Sequence, residues 1–198
     1  MKTKVLLAVL LAMFIGQASA ADDWSSLPKK KQTKLGLYMT PAQANAHMQE
    51  NSQKTLFLDV RTRAEVNFLG TPTVADANIP YMKLNEWYAW NDKKGSFKME
   101  VNSEFEGEVA RRMETKGLSK DDTVIVICRS GSRSSKAADL LATLGYTKVY
   151  SIVEGYEGDK AKTGVQKGQR VVNGWKNSGM PWSYKLAKEK MYLAEAEM

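Results

Sequence analysis

Thr123, Val124, Ile125, Val126, Ile127, Cys128, Arg129, Ser130, Gly131, Ser132, Arg133, Ser134 is the stretch that decides the fold. Its first part is short, continuous and β-branched, as expected of a strand buried on both faces of a parallel sheet. Beyond Ser134, residues Ala137, Ala138, Leu140, Leu141 and Leu144 recur at helical spacing, and Gly145 supplies a stop. The six residues from Cys128 to Arg133 are therefore expected to be a tight loop leading from a strand into a helix.

Such a loop turns successive backbone N–H groups toward one point at the positive end of the helix dipole, and that point holds an anion. Cys128, the only cysteine of the chain, stands at its start, so the anion includes its own thiolate. Arg129 and Arg133 add positive charge, Gly131 admits a positive φ, and Ser130, Ser132 and Ser134 supply hydroxyls. A lone cysteine after a buried strand is commonly an inert packed hydrophobe. Two arginines and a glycine-bearing polar loop suit a reactive thiolate instead.

Working outward, Leu56 to Val60 reads as a second strand ending in Asp59, Val60, Arg61. Leu37 to Met39 is a short first strand, and Thr40 with Pro41 opens a helix. Ala75 to Ile79 is a further strand closed by Pro80, and Lys148 to Val153 is the last. Ser103 and Glu106 suggest a capping box for a helix that Gly117 ends. Strands alternating with helices imply an α/β fold with a central parallel β-sheet and helices on both faces. Loops at the carboxyl ends of such strands build the site, which places Cys128 and Asp59 to Arg61 at one end.

Other segments carry weaker expectations. The aromatic stretch between Pro80 and Ser103, with Trp87, Tyr88, Trp90 and Phe97, suggests a hydrophobic cluster under a long connection. Helices are expected around Val171 to Asn177 and from Tyr184 to Met198. Lys29, Lys30 and Lys31 suggest a solvated lead-in, and Lys160, Lys162, Lys167 and Arg170 suggest a basic rim that gathers oxyanions.

The loop C-R-S-G-S-R-S, the strand end Asp59-Val60-Arg61, the segment Asn78-Ile79-Pro80 and the stretch from Val149 to Gly158 together resemble a single-domain rhodanese, a sulfurtransferase. The resemblance implies a rhodanese-like three-layer fold. It also implies transfer of a sulfane sulfur from thiosulfate or a similar donor, through a persulfide on Cys128, to cyanide or a thiol acceptor. Cys128 is then the nucleophile, with substrate held by Arg129, Ser130, Gly131, Ser132 and Arg133, and the guanidinium of Arg133, with that of Arg129 beside it, on the donor's sulfonate. Asp59 and Arg61 are expected as an internal ion pair that holds the architecture, and Ser134 as the cap of the following helix. The domain is expected over residues 37–184, after a polar lead-in at 21–36 and before a helical tail at 185–198.

Two other classes are weighed. A non-enzymatic persulfide carrier or binding module has the same loop, and detectable turnover with small donors separates it from an enzyme. A phosphatase or arsenate reductase of the related fold places five residues between cysteine and arginine, whereas four separate Cys128 from Arg133. No second cysteine is present to resolve an arsenate-reductase intermediate.

Residues 1–20 read as a secretory signal: Lys2 and Lys4, an apolar run from Val5 to Ile15, and the small residues Ala18, Ser19, Ala20. Export to a periplasm with cleavage after Ala20 is the expectation, with no stable membrane insertion afterwards. The formal net charge is +7, yet without a concentrated arginine or aromatic stripe nucleic acid is not the expected partner. A small anionic sulfur donor, a thiol or cyanide acceptor and a protein sulfur acceptor fit better. One cysteine and one distant histidine make no metal cluster, and no dinucleotide fingerprint follows a strand, so no metal or organic cofactor is expected.

Overall fold

The computed structural model describes residues 23–193; the expected signal and the end of the tail lie outside them. Five parallel strands form the central sheet: β1 (Tyr38–Met39), β2 (Thr55–Asp59), β3 (Ala77–Asn78), β4 (Thr123–Ile127) and β5 (Lys148–Ile152), in the spatial order β1-β5-β4-β2-β3. The β-branched run of β4 takes the centre, where Val124 to Ile127 are fully buried. It pairs with β2 from Thr55↔Thr123 to Asp59↔Ile127, so Asp59 and Cys128 leave the sheet at the same end.

Alternation along the strands sends side chains to two faces. Leu56, Leu58, Val124, Val126 and Val149 pack under α3 (Phe105–Thr115) and α4 (Ser132–Thr143). Phe57, Ile125, Ile127 and Ile152 pack under α1 (Pro41–Asn51) and the buried residues Tyr156 and Trp175. The three layers are thus helices, sheet, and a helix combined with a long irregular segment. Helix α1 starts as its sequence demands: Thr40 accepts from the Gln43 amide in a capping box with Pro41 just inside. Helix α2 (Arg63–Leu69) begins the same way, on Thr62 and Glu65.

Several local expectations are corrected. Ser103 and Glu106 form no capping box. Asn102 takes the turn instead, its Oδ1 accepting from the Glu104 amide at 3.2 Å while its Nδ2 donates to Pro80 O at 3.0 Å. The expected helix around 171–177 is a run of turns. There the backbone crosses the segment after β5 so closely that a Cβ on Gly158 would lie 1.7 Å from Asn173 O, and Gly174 sits at φ 102°. From Tyr184 to Leu193 the only helix is the 3-10 turn Lys188–Lys190, followed by a parallel bridge from Met191 to Asn78 at the edge of β3.

The aromatic connection is not a cluster under a loop. It folds as two nested antiparallel ladders, Met82–Leu84 with Met99–Val101 and within it Trp90–Asn91 with Ser96–Phe97, and although Trp90 and Phe97 meet edge to face at 5.4 Å, Trp87, Tyr88, Trp90 and Phe97 stay exposed. The lead-in is not a solvated tail either. Lys31 is 5 % exposed and its Nζ reaches both Asp159 carboxylate oxygens, at 2.9 and 3.0 Å. Ser135 Oγ donates to Lys30 O at 2.9 Å, which fastens the lead-in to α4.

Candidate active site

Cys128 follows the last residue of β4 and is 1 % exposed. The loop after it is shorter than expected, because α4 already starts at Ser132 with Gly131 as its N-cap. Gly131 adopts φ 95°, and any Cβ there would meet Val153 O at 2.3 Å. Only glycine fits that position. The reward of this turn is that the Gly131 N–H points at the sulfur, 3.2 Å from Cys128 Sγ, at the amino end of α4.

Ser134 is not the helix cap; it lies within the first turn and is buried beside the sulfur. Its Oγ is 3.5 Å from Cys128 Sγ, donates to Gly131 O at 3.0 Å and accepts from Ser151 Oγ at 3.0 Å. A hydroxyl has one proton and two lone pairs. Ser134 can therefore accept from a thiol, or turn its proton to a thiolate.

The segment after β5 laces onto the loop from the other side. Tyr156 N donates to Cys128 O at 2.8 Å, and Glu157 N and Gly158 N both donate to Arg129 O, at 3.0 and 3.3 Å. Gly155, at φ 70°, lets the two backbones touch, since a Cβ there would lie 2.5 Å from Ser130 N.

Asp59 and Arg61 form a bidentate pair with both side chains fully buried. Arg61 Nη2 also donates to Gly70 O at 2.7 Å, and Thr71 Oγ1 donates to Asp59 Oδ2 at 3.1 Å. Burial works against the Arg61 cation, but the Asp59 carboxylate outweighs it and raises the guanidinium's pKa. The guanidinium lies 3.7 Å from the centroid of the Tyr156 ring, the residue whose amide holds Cys128 O. Burial pushes the Tyr156 phenol up, against the pull of Arg61. This cluster supports the loop from below and is not at the mouth.

Arg133 does not stand free for a donor. Its Nη2 and Nη1 reach Glu65 Oε1 and Oε2 at 2.5 and 2.7 Å, with the two side chains 13 % and 18 % exposed. The two terminal nitrogens of the guanidinium fork face a carboxylate of its own chain, where a sulfonate contact was expected. Burial alone would raise Glu65, but the Arg133 guanidinium and the Thr62 cap bonds hold its carboxyl down at about 2. Arg129 is exposed, Ser130 and Ser132 are half-buried.

Two participants escape a sequence reading. Glu65 announces itself only as the acidic end of the Thr62 capping box, and Lys31, expected in a solvated lead-in, carries no motif. Arg170 belongs to the basic rim expected from the sequence. Arg170 Nη1 donates to Gly158 O at 2.6 Å, which brings its guanidinium to the segment bonded to Arg129 O. Among the described residues no group of three or more His, Cys, Asp or Glu side chains is arranged to hold a metal ion, and no helix is long and apolar enough to cross a membrane.

The sequence profile of the rhodanese-like domain matches residues 40–162. Thiosulfate sulfurtransferase 18 of Arabidopsis thaliana is 34 % identical over 115 residues, which span 58 % of this chain and 71 % of the plant protein. The uncharacterized protein RP600 of Rickettsia prowazekii is 26 % identical over 134 residues, 67 % of this chain and 86 % of the other. The crystal structure of Rv0390 from M. tuberculosis superposes with a TM-score of 0.52 at 27 % identity, covering 74 % of this chain and 96 % of that one. With the profile spanning most of the chain and the Cys128 loop inside it, the protein belongs to the rhodanese-like domain family.

Proposed function

We propose that the protein is a sulfurtransferase that carries sulfane sulfur on Cys128. The observation that carries this reading is the Gly131 amide directed at Cys128 Sγ from the amino end of α4. A donor at that point stabilises negative charge on sulfur, which both a thiolate and a persulfide bear. The Cys128 thiolate attacks the outer sulfur of thiosulfate, the S–S bond of the donor breaks, and sulfite leaves with the electron pair. The product is an anionic persulfide. A thiol or cyanide then attacks the outer persulfide sulfur and returns the Cys128 thiolate. Sulfite is a good leaving group, so the step needs no general acid beside the sulfur. That agrees with the position of the single histidine, whose Nε2 is hydrogen-bonded to Thr55 Oγ1 at 2.8 Å, at the opposite end of β2 from Asp59.

The relatives bearing the name thiosulfate sulfurtransferase support this donor class. The signal-like residues 1–20 support an exported setting, which the mass of the protein recovered from the native cell checks directly. The reaction is tested by intact-mass analysis before and after thiosulfate, then after cyanide, with Cys128→Ser as control. The expected result is gain of one sulfur atom that cyanide removes as thiocyanate, with no gain in the variant. Failure of the wild-type protein to load sulfur from any sulfane donor overturns the proposal.

A further inference from the structure

With Arg133 committed to Glu65, a dianionic donor must find its cations elsewhere. Two guanidinium groups remain beside the Cys128 loop. Arg129 follows the cysteine directly and is exposed. Arg170 comes from the segment beyond β5, outside the residues that match the family profile.

Arg170 is held in place at three points. Its Nη1 donates to Gly158 O at 2.6 Å, its carbonyl accepts from Asn177 Nδ2 at 3.1 Å, and its backbone bridges to Lys160. Gly158 in turn donates its amide to Arg129 O. A single residue therefore connects the Arg170 guanidinium to the residue after the nucleophile. The electrostatics agree. Partial burial lowers the Arg170 pKa, the like charge of Arg129 lowers it further, and Glu157, Asp159 and the Cys128 sulfur act in the opposite direction. Arg170 thus feels both its neighbouring cation and the reacting atom.

Among the described residues neither Arg129 nor Arg170 makes an ion pair; of the two carboxylates that act on Arg170, Asp159 is occupied by Lys31 and Glu157 stays beyond ion-pair distance. Two cations held together without a counter-ion favour an anion between them.

We propose that Arg170 completes the oxyanion subsite of the donor, joining the expected loop residue Arg129 on its sulfonate end while its outer sulfur faces Cys128 Sγ. This rests on the sulfur-transfer reading above and names the group that selects the donor. Thiosulfate carries three oxygens on its inner sulfur, enough to accept from two guanidinium forks at once. A donor without an oxyanion makes no use of the pair. The subsite therefore selects for thiosulfate-like donors over organic persulfides.

The test compares two donors on the full chain by the rate of single-turnover sulfur loading, read by intact mass. One donor is thiosulfate. The other is the persulfide of an uncharged thiol such as thioglucose, whose outer sulfur passes to the Cys128 thiolate as its S–S bond breaks and the thioglucose thiolate leaves. Arg170→Gln and Arg129→Gln are each expected to slow loading from thiosulfate by about ten- to a hundredfold, the loss of one charge-assisted contact, and to leave loading from the persulfide within about threefold. Arg129 is exposed, so its variant carries the test even if Arg170→Gln disturbs the segment. Equal slowing with both donors, or no slowing with thiosulfate, overturns the subsite. Wild-type protein that loads from the persulfide but not from thiosulfate overturns the subsite and leaves sulfur transfer standing. Loading from neither removes both.

Discussion

Replacing Glu65 by glutamine removes the carboxylate that fills the Arg133 fork while keeping the shape of the side chain. In the folded protein that carboxyl is held at about 2 against an ordinary value of 4.5. The difference corresponds to roughly 3 kcal/mol of stabilisation of the charged form. Both partners are mostly buried, at 13 % and 18 % exposure, so solvent screening does not erase it. Because the folded value lies below the unfolded one, the unfolded chain takes up the proton first as pH falls. The contribution is complete above about pH 4.5 and drains away toward pH 2. Glu65→Gln is therefore expected to lose about 3 kcal/mol at pH 7, which moves the urea midpoint down by about 1.5 M for a slope near 2 kcal/mol/M. Urea titrations of both proteins from pH 7 to pH 2.5 read the gap between them. It should narrow below pH 4.5. Removing both partners, Glu65→Gln with Arg133→Met, should cost less than the single change, because no cation is left unpaired. A gap that stays constant with pH, or one under about 0.5 kcal/mol at pH 7, refutes the argument, since it lies within the range of an ordinary surface substitution.

Two further outcomes follow from the same geometry. Ser134→Ala takes away the acceptor of the buried Ser151 hydroxyl and a partner of the sulfur, and is expected to cost about 1–2 kcal/mol in a denaturant melt. It should also slow sulfur loading of Cys128; unchanged loading would remove Ser134 from the sulfur's environment. Trp175→Ala empties a fully buried position, loses the tilted ring contact with Phe57 at 5.5 Å and the Nε1 bond to Pro181 O at 2.9 Å, and is expected to cost about 3–5 kcal/mol. A loss below about 1 kcal/mol would mean that the irregular layer is not part of the core.

The centre of the fold was legible because its signals are local. The β-branched run before Cys128, the Thr40-Pro41 helix start and the glycines that end α3 and α4 each act over a few residues. The turn at Gly131 belongs to the same class. What sequence did not show is set by contacts across long separations. Arg133 and Glu65 are 68 positions apart, and Lys31 and Asp159 are 128 apart, so neither pair leaves a spacing to recognise. Arg133 was expected to face substrate because its own loop says nothing of the carboxylate that meets it. Near the C-terminus, helix-forming residues lost to strand pairing: Met191 bridges to Asn78, and Tyr192 N donates to Asn78 O at 3.0 Å. At Ser103 the capping pattern lost to Asn102, whose bond to Pro80 O fastens the turn to the preceding hairpin.

The lacing of the Cys128 loop also sets a clock. A chain that emerges amino end first exposes Cys128 well before Tyr156 and Gly158 are present to bond Cys128 O and Arg129 O, and before Asp159 can receive Lys31. Closing contacts of such sequence separation is slow and comes late in folding. The Gly131 amide and Ser134 lie close to the sulfur in sequence, but the bonds that fix the loop around them arrive with the last strand and the segment behind it. Maturation of the sulfur's setting is tied to the arrival of that segment.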